Sequence, residues 1–89
     1  MAWSIEISPA ADRQLSKLDP QHAKRILKFL SLHLAHLDNP RSIGQALQGA
    51  SLGEFWKYRV GNYRLICKIE DERIVILVLQ IGHRRDVYR

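Results

Sequence analysis

The sequence predicts an α+β fold: one strand, two helices, then three strands, with the helices packed on one face of a small, mostly antiparallel four-stranded sheet. Three observations carry this. Apolar residues alternate at period two near the start, two proline-led amphipathic stretches recur at helical spacing as far as Leu37, and from Glu54 the period returns to two.

Taken in order, Trp3, Ile5 and Ile7 alternate with Ser4 and Glu6, which reads as a half-buried strand. Ser8-Pro9 supplies a capping hydroxyl followed by proline at the first helical position, and Ala11, Leu15 and Leu18 continue as one helical face. Asp19-Pro20 repeats the signal. Ala23, Ile26, Leu27, Leu30, Leu34 and Leu37 then form an apolar stripe, with Lys24, Arg25 and Lys28 away from it. Asp38-Asn39-Pro40 ends that helix, because a proline disfavours helical geometry in the residue before it. Arg41 to Gly53 reads as a connector with one helical turn. Trp56, Tyr58 and Val60 alternate with Phe55, Lys57 and Arg59, Gly61-Asn62 is a two-residue hairpin turn, and Tyr63, Leu65, Cys67 and Ile69 continue the apolar face. After Glu70-Asp71-Glu72 turns the chain, Arg73 to Ile81 is almost wholly apolar and β-branched, as in a central strand covered on both faces, and Gly82 is expected to break it.

Eighty-nine residues hold a single domain, 1–89, with one core. A hydrophobic fraction of 46% beside 26% charged residues argues against disorder and rods. The longest apolar run, Ile74 to Leu79, is far short of the roughly 18 residues that span a bilayer, so no membrane partner is expected. Met1 to Glu6 lacks the basic and apolar regions of a signal peptide, and a cytoplasmic location follows as the expectation. The one cysteine, Cys67, reads as a small core residue. Fourteen Lys and Arg against nine Asp and Glu give +5, which favours an anionic partner.

Placement sharpens that charge. Phe55 to Ile69 contains Lys57, Arg59, Arg64 and Lys68 and no acid. With Gly61-Asn62 as the turn, Val60 lies opposite Tyr63, Arg59 opposite Arg64, Tyr58 opposite Leu65 and Lys57 opposite Ile66. One side of the hairpin is then apolar, and the other carries Phe55, Lys57, Arg59, Arg64, Ile66 and Lys68. A solvated strand face normally mixes signs, and two arginines directly opposed cost up to about 1 kcal/mol. Phosphate offsets that cost, because the guanidinium fork bonds its oxygens in pairs. Arg84 and Arg85 of the tail can join the same cleft. His33 and His36 are spaced i, i+3 without a third ligand, so no metal or other cofactor is expected. Cys67 falls on the apolar side, which leaves no side-chain nucleophile, and His83 is a candidate acid or base with Asp86 as its one nearby carboxylate.

Leu47-Gln48-Gly49, then Trp56-Lys57-Tyr58-Arg59-Val60-Gly61-Asn62-Tyr63-Arg64-Leu65-Ile66, then Gly82-His83-Arg84-Arg85-Asp86-Val87-Tyr88, resemble the RelE/ParE superfamily of toxins from bacterial toxin–antitoxin pairs, over essentially the whole chain. The resemblance implies one of two activities on one scaffold: RelE-like cleavage of mRNA in the ribosomal A site, or ParE-like poisoning of DNA gyrase by protein binding without RNA cleavage. The tail favours the RelE-like branch. Its catalytic positions map onto Lys57, Arg59, Arg64, Arg84 and Tyr88, with Lys68, His83 and Arg85 as further RNA contacts.

The resemblance also implies a RelB-like antitoxin partner, a toxin–antitoxin hetero-oligomer, and the ribosome with its mRNA as target. Where some RelE-type enzymes carry a second lysine, this chain has Arg59, which holds its proton too firmly to be a base. Lys57 is the first choice for general base, since a lysine crowded by cations gives up its proton more readily, with Tyr88 or His83 behind it. Arg59, Arg64 and Arg84 would stabilise the charge that develops on phosphorus, and the substrate's 2′ hydroxyl would be the nucleophile.

Overall fold

The computed structural model describes residues 2–47 and 54–83. Strand β1 (Ser4–Ile7) leads into helix α1 (Pro9–Ser16) and helix α2 (Pro20–Lys28). Strands β2 (Gln45–Ala46), β3 (Phe55–Val60), β4 (Tyr63–Glu70) and β5 (Val75–His83) follow. The sheet order is β1-β5-β4-β3-β2, with β1 parallel to β5 and every other pairing antiparallel. The α+β reading holds, with five strands where four were expected. A two-residue strand is too short to show alternation, so β2 left no periodic trace in the sequence.

Both helices lie on one face, where Ala11, Leu15, Ile26, Leu30 and Leu34 meet Tyr58, Val60, Leu65, Cys67, Ile76, Val78 and Ile81. Ser8 caps α1 as expected: its hydroxyl accepts from Ala11 N–H at 3.1 Å and donates to Leu79 C=O at 2.9 Å. Asp19 occupies the cap position of α2 but its side chain makes no capping bond. The second helical segment does reach His36, yet not as one regular helix. A wide π turn covers Phe29–His33 and a tight 3₁₀ turn covers Leu34–His36. Ser31 feeds that irregularity by donating its hydroxyl to Leu27 C=O at 2.9 Å. The π turn shifts the apolar stripe. Leu27, expected in the core, is exposed, and Phe29 turns inward to lie 5.9 Å from the Tyr58 ring.

Strand β5 corrects two expectations. It runs through Gly82 to His83, and helices cover it on one face, while Leu77 and Leu79 on the other face are half-buried and Gln80 is exposed. Cys67 pairs with Val78 and Ile66 with Gln80, which leaves Leu79 as an extra residue, a β-bulge. Past Ile7, where β1 ends, side chains from around α1 take over this edge: Ile81 N–H donates to Gln14 Oε1 at 2.6 Å and Leu79 C=O accepts from Ser8. Two of the backbone groups that a longer β1 would have bonded are thereby satisfied. No described helix is long and apolar enough to cross a membrane.

Candidate functional site

The β3–β4 hairpin has the register that the sequence predicts, with Arg59 opposite Arg64, Lys57 opposite Ile66 and Val60 opposite Tyr63. Gly61 takes φ 60° at the first central position of the turn, the place where a type II′ hairpin demands glycine. Tyr58, Val60, Leu65 and Cys67 are buried beneath the helices. Lys57, Arg59 and Arg64 therefore project from the open face. They line one cleft of about 320 Å³, together with Gly44 and Gln45, and among the described residues no carboxylate lines it. Lys57 and Arg64 are half-buried and Arg59 is exposed.

The wall opposite the cations comes from a segment that sequence reasoning left as connector. Gln45 pairs with Lys57 and Ala46 with Trp56. Two side chains of β3 hold this arm in place: Trp56 Nε1–H donates to Ile43 C=O at 2.7 Å, and the Tyr58 hydroxyl donates to Pro40 C=O at 2.6 Å. Burial pushes the Tyr58 phenol far above its ordinary range, so it remains a donor. Gly44, at φ 76°, lets the arm come close. A Cβ there would lie 2.5 Å from Lys57 C=O and 2.8 Å from Tyr58 Cδ1. Gly44 and Gln45 were missed as site residues; the available signal was a glycine two positions before an otherwise unremarkable Ala46-Leu47. Arg41, in the helical turn Pro40–Ser42, anchors the same arm through a paired bond to Asp71 at 2.9 Å.

The other expected site residues lie elsewhere. Lys68 is four residues along β4 from Arg64, about 13 Å away. It lies in a separate hollow of about 470 Å³ beside Glu54, Glu70, Asp71 and Glu72. His83 stands opposite Tyr63, on the helix side of the sheet, its ring 5.7 Å from the tyrosine's. Arg84, Arg85 and Tyr88 lie outside the described residues, as do Gln48 and Gly49 of the first motif. Cys67 is fully buried and its thiol is pushed up to about 12 by burial, so it offers no nucleophile. Among the described residues no cluster of His, Cys, Asp and Glu is grouped to hold a metal ion.

The family model described as ParE toxin of type II toxin–antitoxin system, parDE, matches residues 5–88. Toxin RelG of Mycobacterium tuberculosis is 32% identical over 89 residues, covering 100% of this chain and 99% of that protein. Among solved structures, the RelBE2 toxin–antitoxin complex of M. tuberculosis matches with TM-score 0.81 and 28% identity, over 97% of this chain and 95% of that one. A double arginine-to-alanine mutant of E. coli toxin RelE in the free state matches with TM-score 0.79 over 99% of this chain and 88% of that one, at 22% identity, a likeness of fold.

Proposed function

The chain belongs to the ParE toxin family of type II toxin–antitoxin systems and has the RelE-like toxin fold, and on that premise we propose that it is an endoribonuclease that cuts mRNA in the ribosomal A site. The observation that supports this reading is the cleft that gathers Lys57, Arg59 and Arg64, with no carboxylate lining it among the described residues. Two guanidinium forks can clasp one phosphate group while the lysine sits beside it. In-line attack by the 2′ hydroxyl on the neighbouring phosphorus puts extra negative charge on the equatorial oxygens. Cations fixed in place before the reaction favour that state over the ground state. Lys57, half-buried within the cleft, is the base that takes the hydroxyl proton. By resemblance, Arg84 supports the developing charge, Arg84 or a group beside it gives the leaving 5′ oxygen its proton, and Tyr88 orients the 2′ hydroxyl or stacks on a base. Arg85 would bind a flanking phosphate, whereas Lys68, set among Glu54, Glu70, Asp71 and Glu72, is left out of the RNA contacts.

The implied partner is a RelB-like antitoxin, acidic or amphipathic, that covers the cationic cleft and the helix on which Leu27 and Leu32 are exposed. This activity places the protein in the cytoplasm with the ribosome. The ParE description of the matching family model favours a second reading, in which the same basic face binds and poisons DNA gyrase. A coupled translation reaction with gyrase and plasmid present separates the two. Loss of mRNA within the translated region, abolished in Lys57→Ala and Arg64→Ala, supports the nuclease. DNA breaks with intact mRNA overturn it in favour of the poison.

A further inference from the structure

On the helix side of the sheet, at the tip of the β3–β4 hairpin, a second cavity of about 200 Å³ opens between α2 and the ends of β4 and β5. Its walls are His22 and Arg25 of α2, Tyr63 of β4 and His83 of β5, with Gly61 and Asn62 at the turn. Tyr63 stands between two imidazoles, its ring 5.3 Å from His22 and 5.7 Å, edge-on, from His83. The Arg25 guanidinium lies along the turn, with Nη1 3.1 Å from where a Gly61 Cβ would be. Among the described residues no acid lines this space.

The walls offer several hydrogen-bond donors around one permanent cation, Arg25. A guanidinium donates and never accepts, an imidazole keeps an N–H donor in either charge state, and the Tyr63 phenol and Asn62 amide add further donors. The permanent charge is positive. Ring packing around Tyr63 accounts for the aromatic contacts alone, and a site built only for packing would close on itself. This one stays open by several times the roughly 30 Å³ that a water occupies, which is room for a tetrahedral oxyanion. A phosphate group supplies negative charge to meet the Arg25 guanidinium and acceptor oxygens to meet these donors.

We propose that the His22–Arg25–Tyr63–His83 cavity is a phosphate-binding site separate from the Lys57–Arg59–Arg64 cleft. Two sources of phosphate meet its chemistry. The Val60–Tyr63 pair is the next rung of the hairpin from Arg59–Arg64 and faces the other way, so one RNA strand rounding the hairpin tip would touch both sites. A phosphate from elsewhere, on a nucleotide or another strand, would occupy this one alone. The site stands or falls independently of RNA cleavage, because its readout is binding.

The test follows the histidine ring resonances of the full chain by nuclear magnetic resonance during titration with inorganic phosphate. His22 and His83 signals are expected to shift saturably in the wild type and equally in a Lys57→Ala/Arg64→Ala variant, while Arg25→Gln weakens binding by about tenfold and Arg25→Lys recovers part of the loss. The backbone amide spectrum of each variant reports that it is folded. Ring signals that do not move, that move equally in folded Arg25→Gln, or that stop moving in the cleft variant would overturn the proposal. A 2′-O-methyl hexanucleotide, which cannot be cut, then names the source. Weaker oligonucleotide binding in Arg25→Gln assigns the site to the same strand, and unchanged binding assigns it to a separate phosphate.

Discussion

Arg59 and Arg64 face each other across the β3–β4 hairpin, one exposed and one half-buried, on the open face of the sheet. Like charges at a cross-strand pair cost a few tenths up to about 1 kcal/mol, so the fold by itself gains nothing from both. Arg59 bonds weakly in return, its Nε–H donating to Gly61 C=O at 3.5 Å. Replacing it with threonine, a good strand residue without charge, should leave the melting temperature unchanged or raise it by up to about 8 °C while RNA cleavage and toxicity fall sharply. Thermal denaturation beside the translation assay checks this, and a marked loss of Tm would mean that Arg59 serves the fold.

Gly44 is where the arm carrying Gln45 meets β3, and an alanine there meets both a positive φ and the Lys57 carbonyl at 2.5 Å. Gly44→Ala should therefore cost about 1–2 kcal/mol for the backbone conformation alone, with more from the clash, and should detach β2. Gly61 makes the control. It also has positive φ, but an added Cβ there meets the end of the Arg25 side chain at 3.1 Å, which can move aside. Hydrogen exchange at the Leu47 amide, bonded to Phe55 C=O in the native arm, should accelerate strongly in Gly44→Ala and little in Gly61→Ala.

The contrast between these positions shows which parts of the site the sequence makes legible. Period two and a Gly-Asn turn leave the hairpin one register, so the juxtaposition of Arg59, Arg64 and Lys57 could be counted from the residues. The arm could not be counted, because its pairing depends on Trp56 and Tyr58 reaching back to the carbonyls of Ile43 and Pro40. His83 is a different case. The bulge at Leu79 shifts the alternation of β5 by one residue, so Ile81 and His83 point to the helix side with Val78. An apolar run of Val, Ile and Leu gives no sign of where such a bulge falls, and the π turn after Lys28 was hidden the same way among leucines.

Stability below neutral pH should depend on Arg41 and Asp71. The Arg41 guanidinium, bonded to both carboxylate oxygens, holds Asp71 below its ordinary carboxylate range. A depressed folded-state pKa gives stability that is fully present above the unfolded value of about 3.9 and is lost as pH falls through the folded value. Asp71 is 61% exposed, so solvent screening keeps the contribution within about 1 kcal/mol. Asp71→Asn should lower Tm modestly at pH 7, with the difference from wild type closing as pH falls below about 4. A difference that persists unchanged to pH 2 would show that the ion pair is not its source.

Burial protects Cys67. With no side-chain exposure and a thiol pushed up to about 12, it should resist a thiol reagent at pH 8 in the native state. Its labelling rate should follow global unfolding, rising with denaturant in step with loss of tryptophan signal. Rapid labelling of the folded chain would place Cys67 in a locally opening segment.

The reaction proposed for the cleft has a specific dependence on the substrate. Lys57, Arg59 and Arg64 can hold charge and move a proton, but among the described residues no side chain lining the cleft is poised to attack phosphorus, and the one cysteine is sealed in the core. The nucleophile must then come from the RNA, and the 2′ hydroxyl next to the cut phosphate is the group in reach. Its attack breaks the bond to the 5′ oxygen and leaves a 2′,3′-cyclic phosphate and a 5′ hydroxyl. The cations of the cleft supply the charge stabilisation, so cutting should survive EDTA once the magnesium that ribosomes need is restored or bypassed. A single 2′-deoxy nucleotide on the 5′ side of the cut should stop it. Mass spectrometry of the products distinguishes the outcomes: cleavage of the deoxy substrate, or products with a 5′ phosphate, would mean that water or another group attacks, and the roles given to Lys57 and the two arginines would have to be reassigned.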